Sequence, residues 1–385
     1  MTTYAVAGTS WGEEERDALR RLIDDDRFTM GDSVRRFEQA FADRLGVPHA
    51  VMLNSGSSAN LVAVAALAHH PSRPLQRGDE VIVPALSWAT TYSPLQQYGL
   101  TLRVIDIDLD TLNLDVAALT AALTPRTRMV VAVNVLGNPA PLDAVRRFCD
   151  AHGLWCLEDN CESLGASLGG RPCGTFGDVG TFSTFYSHQL STMEGGMLVT
   201  GDPAIAALAR TIRNHGWARD VSMDSPAASA DFPEAYRFVV PGYNVRPLDL
   251  CGAVGLVQLD KLDAAIAARR RNAVRFTELL GADGRFIRQR EHGESSWFGF
   301  TLIVRPGIPL ERATVLDALR AAGIEFRMVT GGCFLRHEAI RHFDHDVAGP
   351  IVNANIAHDR GFFVGNHPRD LSSELASLRG VLDTL

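Results

Sequence analysis

Residues 127–162 read TRMVVAVNVLGNPAPLDAVRRFCDAHGLWCLEDNCE. Thr127–Val133 is an apolar, β-branched run that predicts a buried strand, and Leu142–Ala151 predicts a helix. Trp155–Glu158 predicts a second strand. Strand, helix and strand in that order make a βαβ unit, and a βαβ unit means a parallel sheet. The second strand also delivers Asp159 to its carboxyl end, the place where open α/β sheets bind ligands.

Outward from this unit the alternation continues from about residue 35 to 250. Strands are expected at His49–Leu53, Glu80–Val83, Thr101–Ile105, Gly180–Thr184 and Met197–Thr200, which makes seven in all. Helices are expected at Ser58–Ala68, Trp88–Tyr98, Asp115–Ala122 and 202–214. Ser222–Pro233, rich in Ser, Ala, Asp and Pro, reads as a loop. From Pro247 to about Leu280 apolar residues recur at helical steps. Beyond it, Ser296–Val304 is expected as a strand, Leu310–Ala322 as a helix and Glu325–Met328 as a strand. The expected organisation is therefore a large α/β domain over 1–250 and, over 251–385, a long connecting helix with a small α+β domain. The first twenty or so residues could pack on the small domain.

Hydrophobic residues make up 46% of the 385 and charged ones 21%, as in ordinary globular proteins. A net charge of −8 with no basic run argues against a nucleic-acid partner. No basic region followed by an apolar stretch opens the chain, and no apolar run is long enough for a bilayer. Neither a signal peptide nor a membrane partner is expected, and the cytoplasm is the expected location. The six cysteines (149, 156, 161, 173, 251 and 333) form no CxxC pair and no zinc spacing, so they are expected as reduced packing residues and no metal site is expected. Arginine carries nearly all the positive charge, because Lys261 is the single lysine.

Three further stretches suggest a ligand site. SGSSAN (55–60) follows a strand and opens a helix, where the N–H groups of Gly56, Ser57 and Ser58 would suit a phosphate; a plain helix cap would read the same. Trp88, in ALSW (85–88), comes just past the next strand and could stack on a ring or fill a core. Asp159 could hold a pyridine nitrogen protonated or merely cap the next helix. Ser183, on the Gly180–Thr184 strand, could give its hydroxyl to the same phosphate.

The order SGSSAN, ALSW, EDNCES (158–163), FSTFYSH (182–188) and MEGG (193–196) resembles the DegT/StrS-type sugar aminotransferases, enzymes of pyridoxal phosphate (PLP) fold type I with an aspartate aminotransferase-like architecture. PGYNVRP (241–247), GESSWFGF (293–300) and VGNH (364–367) extend the resemblance nearly end to end. Within that family it is most similar to the branch with histidine in place of the cofactor-binding lysine, here His188 in GTFSTFYSHQLSTMEGG (180–196). Histidine can exchange a proton but cannot form a stable imine.

Residue by residue, the resemblance implies Gly56, Ser57 and Ser183 on the PLP phosphate and Trp88 against the ring. It implies Asp159 on the pyridine nitrogen, Glu162 near the ring substituents and His188, with a pKa near neutrality, as general base and acid. It implies a homodimer that shares its sites, with Asn244 of the partner chain reaching the phosphate and His215 and Arg219 near the substrate from the partner. The implied activity is a 3-dehydration: pyridoxamine phosphate (PMP) meets the C4 ketone of GDP-4-keto-6-deoxymannose, the C3 hydroxyl leaves, and L-glutamate restores PMP. A different nucleotide-linked 4-keto sugar, or a non-catalytic relative that only binds, are the alternatives. A conventional aminotransferase would need Lys261, which lies far along the chain. An iron–sulfur type would need more cysteines after His188 than Cys251 and Cys333. One departure is visible: the branch often carries a second histidine after the first, and here the residue is Gln189.

Overall fold

The computed structural model describes residues 4–26, 28–218 and 236–385. The loop expected at Ser222–Pro233 and the candidate Arg219 fall outside the described residues. Two helices come first, α1 (Glu13–Asp24) and α2 (Asp32–Leu45). Strands and helices then alternate as β1 (His49–Leu53), α3 (Gly56–Ala68), β2 (Glu80–Pro84), α4 (Ala89–Gln97) and β3 (Thr101–Ile105). The pattern continues through α5 (Leu119–Ala122), β4 (Thr127–Val133), α6 (Leu142–His152) and β5 (Trp155–Asp159). A small hairpin, β6 (Ser167–Leu168) and β7 (Arg171–Pro172), precedes β8 (Val179–Ser183), β9 (Gly196–Thr200) and α7 (Pro203–Arg213). Helix α8 (Asp249–Leu280) leads into β10 (Phe286–Arg288), β11 (Gly299–Val304), α9 (Arg312–Ala321) and β12 (His345–Val347). The last elements are α10 (Asn353–Arg360), β13 (Gly361–Gly365) and α11 (Ser372–Asp383).

The central sheet runs β1-β9-β8-β5-β4-β2-β3-β12. Strand β9 pairs antiparallel with both β1 and β8, while β8, β5, β4, β2, β3 and β12 pair in parallel. Strand β1, two antiparallel steps from β8, points the same way, so its carboxyl end shares one rim with those of the parallel strands, and the candidate residues follow the ends of β1, β2, β5 and β8.

Two elements differ from expectation. The sheet has eight strands, not seven: β12 adds to the edge beside β3. Its His-Asp-Val sequence is exposed along its whole length, so it carries no apolar signal, and Asp346 pairs with Arg103 instead. Glu325–Met328 is not a strand. It is tied only at single points, with Glu325 N donating to Tyr4 O and Arg327 bridging Phe363.

A second sheet, β10-β11-β13, is antiparallel. Behind it Phe276 stacks on Phe300 at 4.5 Å, in a cluster with Tyr4, Leu302, Phe362 and Leu378. Helix α8 joins two clusters. Val34, Phe37 and Phe41 pack with its Cys251, Leu262 and Ile266, while its Ala273, Phe276 and Leu280 belong to the cluster behind the second sheet. At 32 residues it is about 48 Å long. The close approach of α2 requires glycine: a Cβ on Gly252 would lie 2.5 Å from Val34 N, which is backbone and cannot yield. Gly252→Ala should lower stability by about 1–3 kcal/mol through overpacking, read from the urea midpoint at unchanged slope.

Candidate active site

The phosphate-type cradle is built where α3 begins. Ser55 caps the helix by accepting from Ser58 N at 3.0 Å. Gly56 follows, and a Cβ there would sit 2.6 Å from Ser183 Cβ and 2.8 Å from Cys161 Sγ. The missing side chain is what brings the positive helix end against the tip of β8, where Gly56 and Ser183 meet. Ser57 is exposed and donates its hydroxyl to Thr90 Oγ1 at 2.9 Å, linking the starts of α3 and α4. Trp88, the residue that caps α4, is 61% exposed with Gly331 behind its ring. It is an open aromatic face, not a core residue.

Asp159 ends β5, buried, and its two oxygens accept three hydrogen bonds. Asn60 Nδ2 donates to Oδ2 at 2.8 Å, Thr91 Oγ1 to the same oxygen at 2.7 Å, and Cys161 N to Oδ1 at 3.1 Å. Asn60 is in turn held by Thr181 Oγ1 at 2.6 Å. A carboxylate set this firmly is an acceptor with one direction left to offer.

Glu162 accepts from Leu136 N at 2.8 Å. Burial, with the Asp159 charge adding to it, lifts its carboxyl to about 7. Because the folded value lies above the ordinary 4.5, its stabilising contribution is full below that pH and is lost as pH rises through about 7. Glu162→Gln, which keeps an acceptor for Leu136, should melt like the wild type near pH 4. Its advantage should grow to the order of 2 kcal/mol by about pH 8, measured as Tm against pH.

His188 lies in the loop after β8, with its backbone N–H on Phe185 O at 2.9 Å. Its ring stands edge to face between Phe185 at 5.8 Å and Phe298 at 5.0 Å, and its buried Nδ1 meets no hydrogen-bond partner among the described residues. Burial first, and the Arg269 guanidinium second, pull the imidazole down to about 3. This lies below the neutral value expected from the sequence, because the burial of Nδ1 and the Arg269 charge both disfavour the imidazolium. The Arg269 guanidinium is buried and donates to the carbonyls of Phe298 and Asn366.

Lys261 is elsewhere. Its ammonium is held by Glu14 at 3.0 Å and Glu15 at 2.8 Å, which ties α1 to α8. Asn244 is exposed and bridges Asn214; His215, at φ +65°, donates its N–H to Tyr243 O at 2.7 Å. The two therefore lie together on one strip beside the exposed Phe238 and Val239. Gln189, by contrast, is buried and turned away from the rim, its Nε2 donating to Glu162 O and to Ser296 Oγ. Among the described residues no group of three His, Cys, Asp or Glu side chains converges as a metal site.

Phe298, Arg269 and Thr91 were not anticipated. Phe298 lay inside a quoted motif as one more aromatic, whereas Arg269 and Thr91 carry no local signal at all.

The arrangement offers an anion cradle, an aromatic face, an acceptor carboxylate and a neutral base on one rim. Residues 9–377 match the model of the DegT/DnrJ/EryC1/StrS aminotransferase family. A GDP-4-keto-6-deoxy-D-mannose 3-dehydratase of Yersinia pseudotuberculosis is 45% identical over 99% of this chain and 98% of its own length. A solved structure of the E. coli GDP-4-keto-6-deoxy-D-mannose-3-dehydratase with bound hydrated PLP matches at TM-score 0.96 and 43% identity, covering 99% of this chain and all of that one. Another, of a GDP-4-keto-6-deoxymannose-3-dehydratase with a trapped PLP-glutamate geminal diamine, matches at TM-score 0.96 and 42% identity over the same shares.

Proposed function

Because the chain belongs to the DegT/DnrJ/EryC1/StrS aminotransferase family, we propose that it removes the C3 hydroxyl of GDP-4-keto-6-deoxy-D-mannose, as the names of its full-length relatives describe. The product is GDP-4-keto-3,6-dideoxy-D-mannose, and L-glutamate is consumed to 2-oxoglutarate with release of ammonia. The observation that carries the reading is the His188 imidazole on the rim, its Nδ1 without a hydrogen-bond partner among the described residues, while the single lysine, Lys261 of α8, is tied to Glu14 and Glu15 of α1.

The residues fit PLP and PMP. The Gly56–Ser183 approach leaves the helix end open for a phosphate, Trp88 presents a bare ring face, and Asp159 has acceptor capacity to spare. The chemistry that PMP supplies when bound is an amine for the C4 ketone and a pyridine ring able to take up an electron pair. Asp159 keeps the ring nitrogen protonated. Glu162, with its carboxyl near 7, can give or take a hydrogen bond beside the ring. His188 is neutral and can accept the proton from C4′. Once charged, with its Nδ1 buried and the Arg269 guanidinium acting on it, it is a strong acid that can pass that proton to the departing C3 hydroxyl. No lysine stands at this place to compete for the cofactor's aldehyde. Asn244 and His215 are assigned to the partner's site in a homodimer, supported by their exposure beside the uncovered Phe238 and Val239. No helix among the described residues is long and apolar enough to cross a membrane.

Mass spectrometry of the sugar after incubation with PLP, L-glutamate and GDP-4-keto-6-deoxymannose tests the reading. A product lacking one oxygen with matching 2-oxoglutarate is expected. An amino sugar, or turnover only with another nucleotide, would overturn the assignment. Borohydride treatment of the holoenzyme should leave the cofactor removable by dialysis, since no cofactor imine with the protein forms.

A further inference from the structure

We propose that Gln189 is the positioning residue of this site: its buried amide clips the loop carrying His188 to both the carboxylate turn and the segment before β11 that carries Phe298. The proposal rests on the dehydratase reading for its kinetic consequence, though not for its geometry.

A catalytic imidazole is ordinarily aimed by the hydrogen bond that its second ring N–H donates to a carboxylate or a backbone carbonyl. Among the described residues the buried Nδ1 of His188 meets no such partner, and Phe185 and Phe298 flank the ring. Something must therefore fix the loop relative to Phe298. Three stretches already form one hydrogen-bonded unit. Leu136 N donates to the Glu162 carboxylate at 2.8 Å, and Leu136 O receives Phe298 N at 2.9 Å. Gly137 O receives Ser296 N at 2.9 Å. At φ +90°, with a Cβ position only 2.7 Å from Trp297 N, Gly137 allows that contact where a side chain would block it.

Gln189 joins the loop to this unit. Its Nε2 donates to the backbone carbonyl of Glu162 and, at 3.0 Å, to Ser296 Oγ. A carbonyl only accepts, so the amide can face it one way round, and both of its donors are used. The side chain next to the base thus sets how deep the loop sits and how far His188 stands from Phe298. The same spacing keeps the Nδ1 edge of the imidazole buried, with the Arg269 charge of α8 acting on it.

Gln189→Met keeps length and bulk and removes both donors. In the PLP-loaded enzyme it should lower kcat for dehydration about ten- to a hundredfold, the usual result of a small misplacement, with KM for the sugar nearly unchanged. Ser296→Ala should act in the same direction but more weakly, and the double variant should be no worse than Gln189→Met alone. The second readout needs no cofactor. In histidine-labelled protein, with the His188 signal identified by its loss in His188→Asn, the imidazole should titrate at higher pH in Gln189→Met than in the wild type, because slack in the clip admits water. Wild-type kcat together with an unshifted His188 titration would overturn the proposal while leaving wild-type turnover, and so the dehydratase reading, intact. If the wild type itself does not turn over, the functional reading fails and the titration alone decides the clip. Should Gln189→Met not fold, Ser296→Ala decides, and an unchanged kcat and titration there would equally overturn it.

Discussion

His188→Asn should reduce dehydration by a factor on the order of 10²–10⁴, the usual worth of a positioned general base. Asparagine keeps a polar group near the place of Nδ1 but cannot take a proton. The edge-to-face cage of Phe185 and Phe298 would close around it with little rearrangement. The glutamate half-reaction needs the same proton transfer at C4′, so 2-oxoglutarate formation should fall with it. Cofactor binding should survive, because the cradle at Gly56 and Ser183 and the acceptor at Asp159 are untouched. Single-turnover sugar analysis alongside cofactor absorbance checks all three. Activity within a few-fold of wild type would remove His188 from the chemistry.

Asp159→Asn should cost about as much for a different reason. Asn60 Nδ2 and Thr91 Oγ1 both donate to Oδ2, so an asparagine would turn its carbonyl toward them. Its NH2 would then face Cys161 N and the pyridine nitrogen, where an acceptor is needed. The ring nitrogen would lose its proton, and with it the capacity to hold an electron pair. Loss of one preorganised electrostatic partner of this kind costs on the order of 10²–10³ in kcat. The cofactor absorbance of the variant should also change with pH where that of the wild type does not. A kcat near wild type with an unchanged spectrum would mean that Asp159 only shapes the turn.

The parallel sheet was readable because its strands are buried on both faces. A run such as Met-Val-Val-Ala-Val in β4 suits a strand covered on both sides and little else, and the punctuation around it sets the crossover helix. Strand β12 was not readable because edge position and ion pairing, not apolar burial, hold it in place. The site followed the same logic. Gly56, Asp159, Ser183 and His188 sit at strand ends, where sequence order and spatial order coincide. Phe298 and Arg269 reach the base from the segment before β11 and from α8, more than eighty residues further on, so only the folded chain brings them there. The low proton affinity of His188 is legible only after that meeting. Composition gives an imidazole; the cage makes it a weak base and a strong acid.

Helix α8 belongs to the apolar clusters on both sides of the molecule. Unravelling its first half would strip Phe37 and Phe41 of cover, and unravelling its second half would do the same to Phe300 and the β10-β11-β13 sheet. Neither sheet can therefore melt while leaving the other whole. Heating should produce one calorimetric transition whose van't Hoff and calorimetric enthalpies agree, so this large chain should keep the all-or-none cooperativity more usual in smaller ones.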